Sequence, residues 1–248
     1  MSRRAEILSV YAGIGRTYAR WAPSLLLLAL IVFIPLGLIH ALAVHAEIGS
    51  FDVDSVVEIT AAAVAVIALA VTGLIGEVFY TGAVAISLTH PHDGRPPTLR
   101  ETAHMVDYGP LIAIDLIYGV AVALGLVFFV VPGILAFVWL GLAAPVVEIE
   151  HRGVRAALAR SVRLVRGKFL VVAAVMIPIE IVGDGLTSIA TVLTHDLLGE
   201  TLLSEWLADV LSNLAFTPFF AVAAVLLTVD RIREKEGAVV ELHSKPEQ

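Results

Sequence analysis

Residues 110–168 read PLIAIDLIYGVAVALGLVFFVVPGILAFVWLGLAAPVVEIEHRGVRAALARSVRLVRGK. Two apolar runs, 110–131 and 133–149, meet at Pro132-Gly133, a dipeptide that favours a tight turn. Neither run holds a lysine or an arginine, and the first is long enough to cross the roughly 30 Å of bilayer hydrocarbon as a helix. Directly after the second run come Arg152, Arg155, Arg160, Arg163, Arg166 and Lys168. A hairpin of two apolar spans followed by a basic segment is the unit from which the rest of the chain can be read.

Outward from it, further apolar runs cover 22–44, 59–88, 169–193 and 206–229. In lipid every backbone amide must be satisfied within its own segment, so these runs predict helices. The short alternating segments of a membrane barrel are absent. All 16 basic residues fall in four places: the N-terminal stretch (Arg3, Arg4, Arg16, Arg20), the second connection (Arg95, Arg100), the fourth connection and the C-terminal tail. The other three connections have none. Positive charge is retained on the cytoplasmic side, so this alternation predicts six spans with both termini in the cytoplasm. The expected organisation is an interfacial N-terminal segment 1–21, a six-helix domain 22–229 and a tail 230–248. The fold class is all-α and polytopic, with cytoplasmic amphipathic helices.

Composition agrees. Of the 248 residues 58% are hydrophobic and only 16% charged, and mean hydropathy is +0.91. A soluble domain carries about 25% charged residues. The net charge of −7 hides the clustering of the basic residues. With no cysteine, disulfides, thiolate metal sites and cysteine nucleophiles are excluded. Ser2-Arg3-Arg4 is similar to a twin-arginine signal, but the apolar run from Ala22 is too long for a signal-peptide core and reads as a retained anchor.

Residues 152–166 have helical amphipathicity. At 100° per residue the five arginines span an arc of about 140°, opposite Val154, Ala157, Leu158, Val162 and Val165. Such a helix is expected to lie in the membrane interface, apolar face down. Arg152, Arg155, Arg160, Arg163, Arg166 and Lys168 are therefore candidates for anionic lipid headgroups, against the simpler reading that they only hold the loop inside. The N-terminal stretch has a similar stripe (Ile7, Val10, Tyr11, Ile14, Tyr18, Trp21), and 98–108 a weaker one. Each precedes an odd-numbered span, so the expected repeat is an interfacial helix followed by a transmembrane hairpin.

The stretch Val131-Pro132-Gly133-Ile134 through Ala144-Pro145-Val146-Val147-Glu148, then Gly153-Val154-Arg155-Ala156-Ala157-Leu158-Ala159-Arg160-Ser161-Val162-Arg163-Leu164-Val165-Arg166-Gly167, carries a resemblance. It resembles bacterial six-span proteins related to the membrane domain fused ahead of some glycerophosphodiester phosphodiesterases. In that family the phosphodiesterase chemistry belongs to a separate barrel domain. The 19 residues after Val229 are expected to leave no such barrel. The resemblance thus implies a stand-alone membrane domain, with no catalytic residue to carry over. Read physically, Pro132-Gly133 suits a hairpin turn, Pro145 a break in the fourth span, and the Ser161 hydroxyl a bond to a backbone carbonyl.

The spans contain acids but no bases. Glu180 lies near the middle of the fifth span with Asp184 one turn on, Glu77 is inside the second, and Asp115 is one turn into the third. Glu148 and Asp209 are near span ends. A carboxylate in hydrocarbon must be paired, hydrated or protonated. Pro178, Gly183 and Gly185 around Glu180 and Asp184 suggest a broken helix of the sort that builds ion sites in transporters. Glu180, Asp184 and Glu77 are the candidates for a proton or cation site. The alternative is neutral acids bonded to Thr187, Ser188 or Asn213, or a water-filled crevice. His90, His92 and Asp93 read as a solvated loop, and His40, His45, His195, Glu47, Asp52, Asp54, Asp196 and Glu200 as an acidic outer rim.

No phosphate loop, dinucleotide fingerprint, HExxH or GxSxG is present, so no enzyme, cofactor, resident metal or nucleic-acid partner is expected. The first functional expectation is a bacterial plasma (inner) membrane protein that contacts anionic lipid and organises the envelope. The second is a small transporter or ion-coupled permease using the intramembrane carboxylates. The third is a scaffold subunit, and a protein partner or homo-oligomer stays open.

Overall fold

The computed structural model describes residues 3–45, 76–89 and 97–237. Among them every regular element is an α-helix. In chain order these are α1 (Arg3–His45), α2 (Glu77–Thr89), α3 (Leu99–Met105), α4 (Tyr108–Phe128), α5 (Val130–Leu140), α6 (Ala143–Glu150), α7 (Val154–Val165), α8 (Phe169–Leu198) and α9 (Leu202–Glu236). Five stretches are long and apolar enough to cross a membrane: α1, α4, α5 with α6, α8 and α9. The shorter apolar helix α2 is the last part of the expected second span, whose first part lies outside the described residues. The chain is an all-α polytopic membrane protein.

α9 is the axis of the bundle: 72% of its most apolar window is buried, against 33–50% for the other spans. α1 and α8 pack along it, α2 fills the next face, and α4 and α5 close the far side as a hairpin. The outward faces are apolar, with Ile31, Leu38, Phe129, Ile181, Val192 and Leu197 exposed. So much contiguous exposed apolar surface is suited to lipid rather than water.

Several boundaries differ from expectation, each for a local reason. The chain turns at the extended residue Phe129, not at Pro132-Gly133. Pro132 instead occupies the first turn of α5, where its missing N–H costs nothing. Gly133 serves close approach: a Cβ there would lie 2.6 Å from the Leu126 amide nitrogen, and one on Gly125 would lie 2.5 Å from the Gly133 Cα. The fourth span does break, between α5 and α6 at Gly141-Leu142. Pro145, four residues beyond Gly141, cannot donate to the Gly141 carbonyl, so the α-helical ladder cannot continue there. The end of α5 leaves carbonyls unpaired, and the Ser161 hydroxyl donates to that of Trp139 at 2.6 Å.

α8 is not broken; it runs continuously through Pro178, Gly183 and Gly185. The proline deprives the Ala174 carbonyl of its helical partner. The Tyr11 hydroxyl reaches across from α1 and donates to the carbonyls of Ala174 and Val175, at 3.1 and 3.2 Å.

α1 is likewise continuous through Pro23, so residues 3–21 and the first span form one helix of 43 residues, ~64 Å long. Its N-terminal stripe does bury, but against protein. Val10, Ile14 and Trp21 are in the core, and Tyr18 stacks on Phe219 of α9 with centroids 4.0 Å apart. α3 starts with a capping box, the Thr98 side chain accepting from the Glu101 amide and the Glu101 carboxylate from the Thr98 amide.

Candidate functional site

α8 and α9 each present four residues at helical spacing to a shared cavity of about 250 Å³. From α8 come Glu180, Gly183, Asp184 and Thr187; from α9 come Asp209, Ser212, Asn213 and Phe216. The offsets of three, four and seven residues put each set on one helix face. His40 of α1 and Glu77, the first residue of α2, complete the lining. All three sequence candidates, Glu77, Glu180 and Asp184, therefore meet in one cavity. Glu180 is eleven residues from the start of α8, ~16 Å along its axis and half-way through a bilayer core.

Two glycines let the walls close in. A Cβ on Gly37 of α1 would lie 2.7 Å from a carboxylate oxygen of Asp209, and one on Gly183 would lie 2.5 Å from the Phe216 ring. Phe216 also lines a neighbouring, mostly apolar groove with Tyr11, Pro178 and Phe219, so its ring separates the polar cavity from a lipid-like surface.

The hydroxyls and amide expected to neutralise the acids bond elsewhere. Thr187 donates to the Gly183 carbonyl, Ser188 to that of Asp184, and the Asn213 amide to that of Asp209. Ser212 donates back to Ala208 and Asp209. Each of these side chains closes on its own helix. Among the described residues, Glu77 Oε2, Glu180 Oε2 and His40 Nδ1 are buried with no hydrogen-bond partner. Glu77 is 7% exposed, whereas Asp184 is open at the mouth. The site is thus a graded acidic pocket, closed at Glu77 and open at Asp184. No group of three His, Asp or Glu among the described residues has the geometry of a metal site.

Asp115 does a different job. Its carboxylate accepts the Gly76 amide at 2.7 Å, at the N-terminus of α2. The positive end of that helix is a favourable place for an acid. Gly76 has φ of +101°, and a Cβ there would lie 2.4 Å from Leu36, so both backbone and space require glycine. Glu148, 1% exposed, accepts the Asp107 amide at 3.1 Å and ties α6 to the start of α4.

The second candidate set, on and around α7, splits in two. The face of α7 that buries holds Ala157, Arg160, Ser161, Leu164 and Val165, and it packs on α5, α6 and α9 rather than on lipid. Arg160 makes a forked pair with Glu150 (2.8–3.1 Å) and a contact with Glu236 at 2.5 Å. Glu150, bonded to the guanidinium, raises the Arg160 pKa above the usual arginine value; burial opposes this and Glu236 adds to it. Arg152 pairs with the same Glu150. Lys168 bridges Glu234 (3.0 Å) and Glu6 (3.1 Å), and both acids raise its pKa, Glu234 the more. Arg160, Arg152 and Lys168 are therefore spent on internal ion pairs. Arg155, Arg163 and Arg166 are exposed and make no ion pair among the described residues. The Lys235 ammonium caps the end of α7 at the carbonyls of Arg163 and Arg166.

Sequence reasoning missed the roles of His40 and Asp209 in the cavity, although the spacing of Asp209, Ser212, Asn213 and Phe216 carried the signal. On the expected rim, His195 lies 2.9 Å from Glu205, and Asp196 and Glu200 are exposed. Glu47, Asp52, Asp54, His90, His92, Asp93 and the His45 side chain lie outside the described residues. No family model, curated protein or solved structure matches this chain.

Proposed function

We propose that the cavity takes up a proton or small cation within the membrane, and that the protein is a small ion-coupled permease. The observation that carries this is the convergence of Glu77, Glu180 and Asp184, with Asp209 and His40, on one cavity without a basic lysine or arginine among its lining residues. Carboxylates held in a membrane without such a partner are a default mark of an ion pathway. The basic clusters support a bacterial inner-membrane setting with both termini in the cytoplasm. In that orientation Asp184 faces the outer half of the bilayer. No catalytic residue is assigned. The resemblance to the membrane domain of glycerophosphodiester phosphodiesterases is in keeping with a non-enzymatic membrane unit.

The test is flux in proteoliposomes under an imposed pH gradient or potential. Glu180→Gln, nearly equal in size, is expected to cut flux at least about tenfold, as for loss of a site that carries the ion through hydrocarbon. Its yield and unfolding midpoint should be those of the wild type. Equal flux in wild type and variant, or none in the wild type above empty liposomes, ends this reading.

A second reading is favoured by Arg155, Arg163 and Arg166, which are exposed and unpaired among the described residues. They support contact with anionic lipid, at about 1 kcal/mol for each charge, and hence a role in envelope or lipid organisation. Changing all three to glutamine should release anionic lipid that co-purifies with the wild type in native mass spectrometry. If the retained lipid is unchanged, these arginines only fix topology.

A further inference from the structure

The cytoplasmic end of the bundle is a ring of closed ion pairs. Glu6 takes Arg231 at 2.6 Å as well as Lys168, and Arg231 also takes Glu234 at 2.5 Å. With the Arg160 network, these pairs join α1, α6, α7 and α9. Asp230 and Arg16, in the same region, stay out of the ring. The half-buried Asp230 makes no hydrogen bond or ion pair among the described residues, since Arg231 beside it turns to Glu6 and Glu234. Among the described residues Arg16 makes only a bond from its Nε to the Ala12 carbonyl of its own helix.

These two charges line one cavity and do not touch. The cavity, about 390 Å³, lies between α1, α2 and α9. Arg16 and Arg20, one turn apart on α1, stand on one side with the hydroxyls of Ser9 and Thr17; Asp230 of α9 also lines it, together with Trp21. The floor is apolar, where Gly13 lets the Leu226 side chain approach. Opposite charges that share a cavity without pairing leave room between them for a group carrying both complementary charges.

The level of the cavity says which group. The uncharged run of α1 begins at Trp21, just after Arg20; that of α9 ends at Val229, just before Asp230; and Leu88 is at the end of α2. Three apolar stretches therefore end at this cavity, which puts it at the depth of lipid headgroups, where tryptophan and arginine also concentrate.

We propose that this cavity is a binding site for an aminophospholipid headgroup, its phosphate held by Arg16 and its primary ammonium by Asp230. Guanidinium and phosphate match as fork and acceptor, and a carboxylate can take the N–H donors of an ammonium. A quaternary ammonium has no such donors, so the site discriminates between phosphatidylethanolamine and phosphatidylcholine. This site shares no lining residue with the carboxylate cavity or with α7.

The experiment is native mass spectrometry of the full chain in detergent, offered equal amounts of phosphatidylethanolamine, phosphatidylcholine and phosphatidylglycerol with identical acyl chains. The wild type is expected to retain phosphatidylethanolamine over phosphatidylcholine by about tenfold, the value of one charge-assisted hydrogen bond. Asp230→Asn should erase that preference while phospholipid still binds, Asp230→Glu should keep it, and Arg16→Gln should weaken all three lipids together. No preference in the wild type, a preference for phosphatidylglycerol, or an undiminished preference in Asp230→Asn overturns the proposal. Glycerophosphoethanolamine, which lacks acyl chains, tells lipid from soluble ester. If it binds as tightly as the lipid, the lipid assignment is overturned.

Discussion

Arg160→Ala is expected to lower the unfolding midpoint by about 10 °C, corresponding to about 3–5 kcal/mol for removing one partner of a buried ion pair. The arginine side chain is 9% exposed and holds two acids from different parts of the chain, Glu150 at the end of α6 and Glu236 at the end of α9. Among the described residues, removing it leaves Glu150, 13% exposed, with only the more exposed Arg152. Arg155→Ala, one and a half turns away and exposed, should change stability by no more than about 0.5 kcal/mol. Arg160→Lys should fall between, because an ammonium keeps the charge but not the fork. Tryptophan fluorescence on heating reads all three, with Trp21, Trp139 and Trp206 as reporters. Similar midpoints for Arg160→Ala and Arg155→Ala would show that the ion-pair ring does not hold that end of the bundle together.

The second large effect is expected at Gly125. An added methyl would sit 2.5 Å from the Gly133 Cα and 2.6 Å from its nitrogen, and backbone cannot swing aside as a side chain can. Gly125→Ala must therefore push α4 and α5 apart, at about 1–3 kcal/mol, and Gly125→Val should cost more. The same exchange at Gly185 of α8 has the opposite sign. Among the described residues nothing lies within 4 Å of a Cβ there, so Gly185→Ala should stabilise by about 0.5–1 kcal/mol through helix propensity. Unfolding midpoints of the two alanine variants check the pair. A shift in the same direction for both would mean that the hairpin is not packed through Gly125 and Gly133.

The hairpin also shows how far the sequence could be read. Pro132-Gly133 signalled the region of the turn, but a glycine has two uses, a positive φ and a close approach, and composition does not separate them. Contact with Gly125 does. Pro145 and Ser161 were legible because each acts on a backbone carbonyl a short distance away in space, one by failing to donate and one by donating. Pro178 suggested a broken α8 on the same logic. The helix stays whole, and the carbonyl the proline frees is taken by Tyr11, 163 residues from Ala174.

The length of the apolar runs and the clustering of the basic residues determined by themselves that this is an all-α membrane protein, and which charges stand together along the chain. Bilayer thickness and the cost of an unpaired amide act segment by segment, so no knowledge of neighbours is needed. Helical spacing likewise put Glu180 and Asp184 on one face. Tertiary structure alone decided what covers each face. The stripes of α1 and α7 bury against protein instead of lipid, Arg160 turns inward to Glu150 and Glu236, and Glu77, His40 and Asp209 arrive from three other helices to complete one cavity. An apolar face gains about the same from a lipid tail as from a neighbouring helix, and a charge is satisfied equally by a headgroup or a carboxylate. Only the packing of distant helices chooses between them.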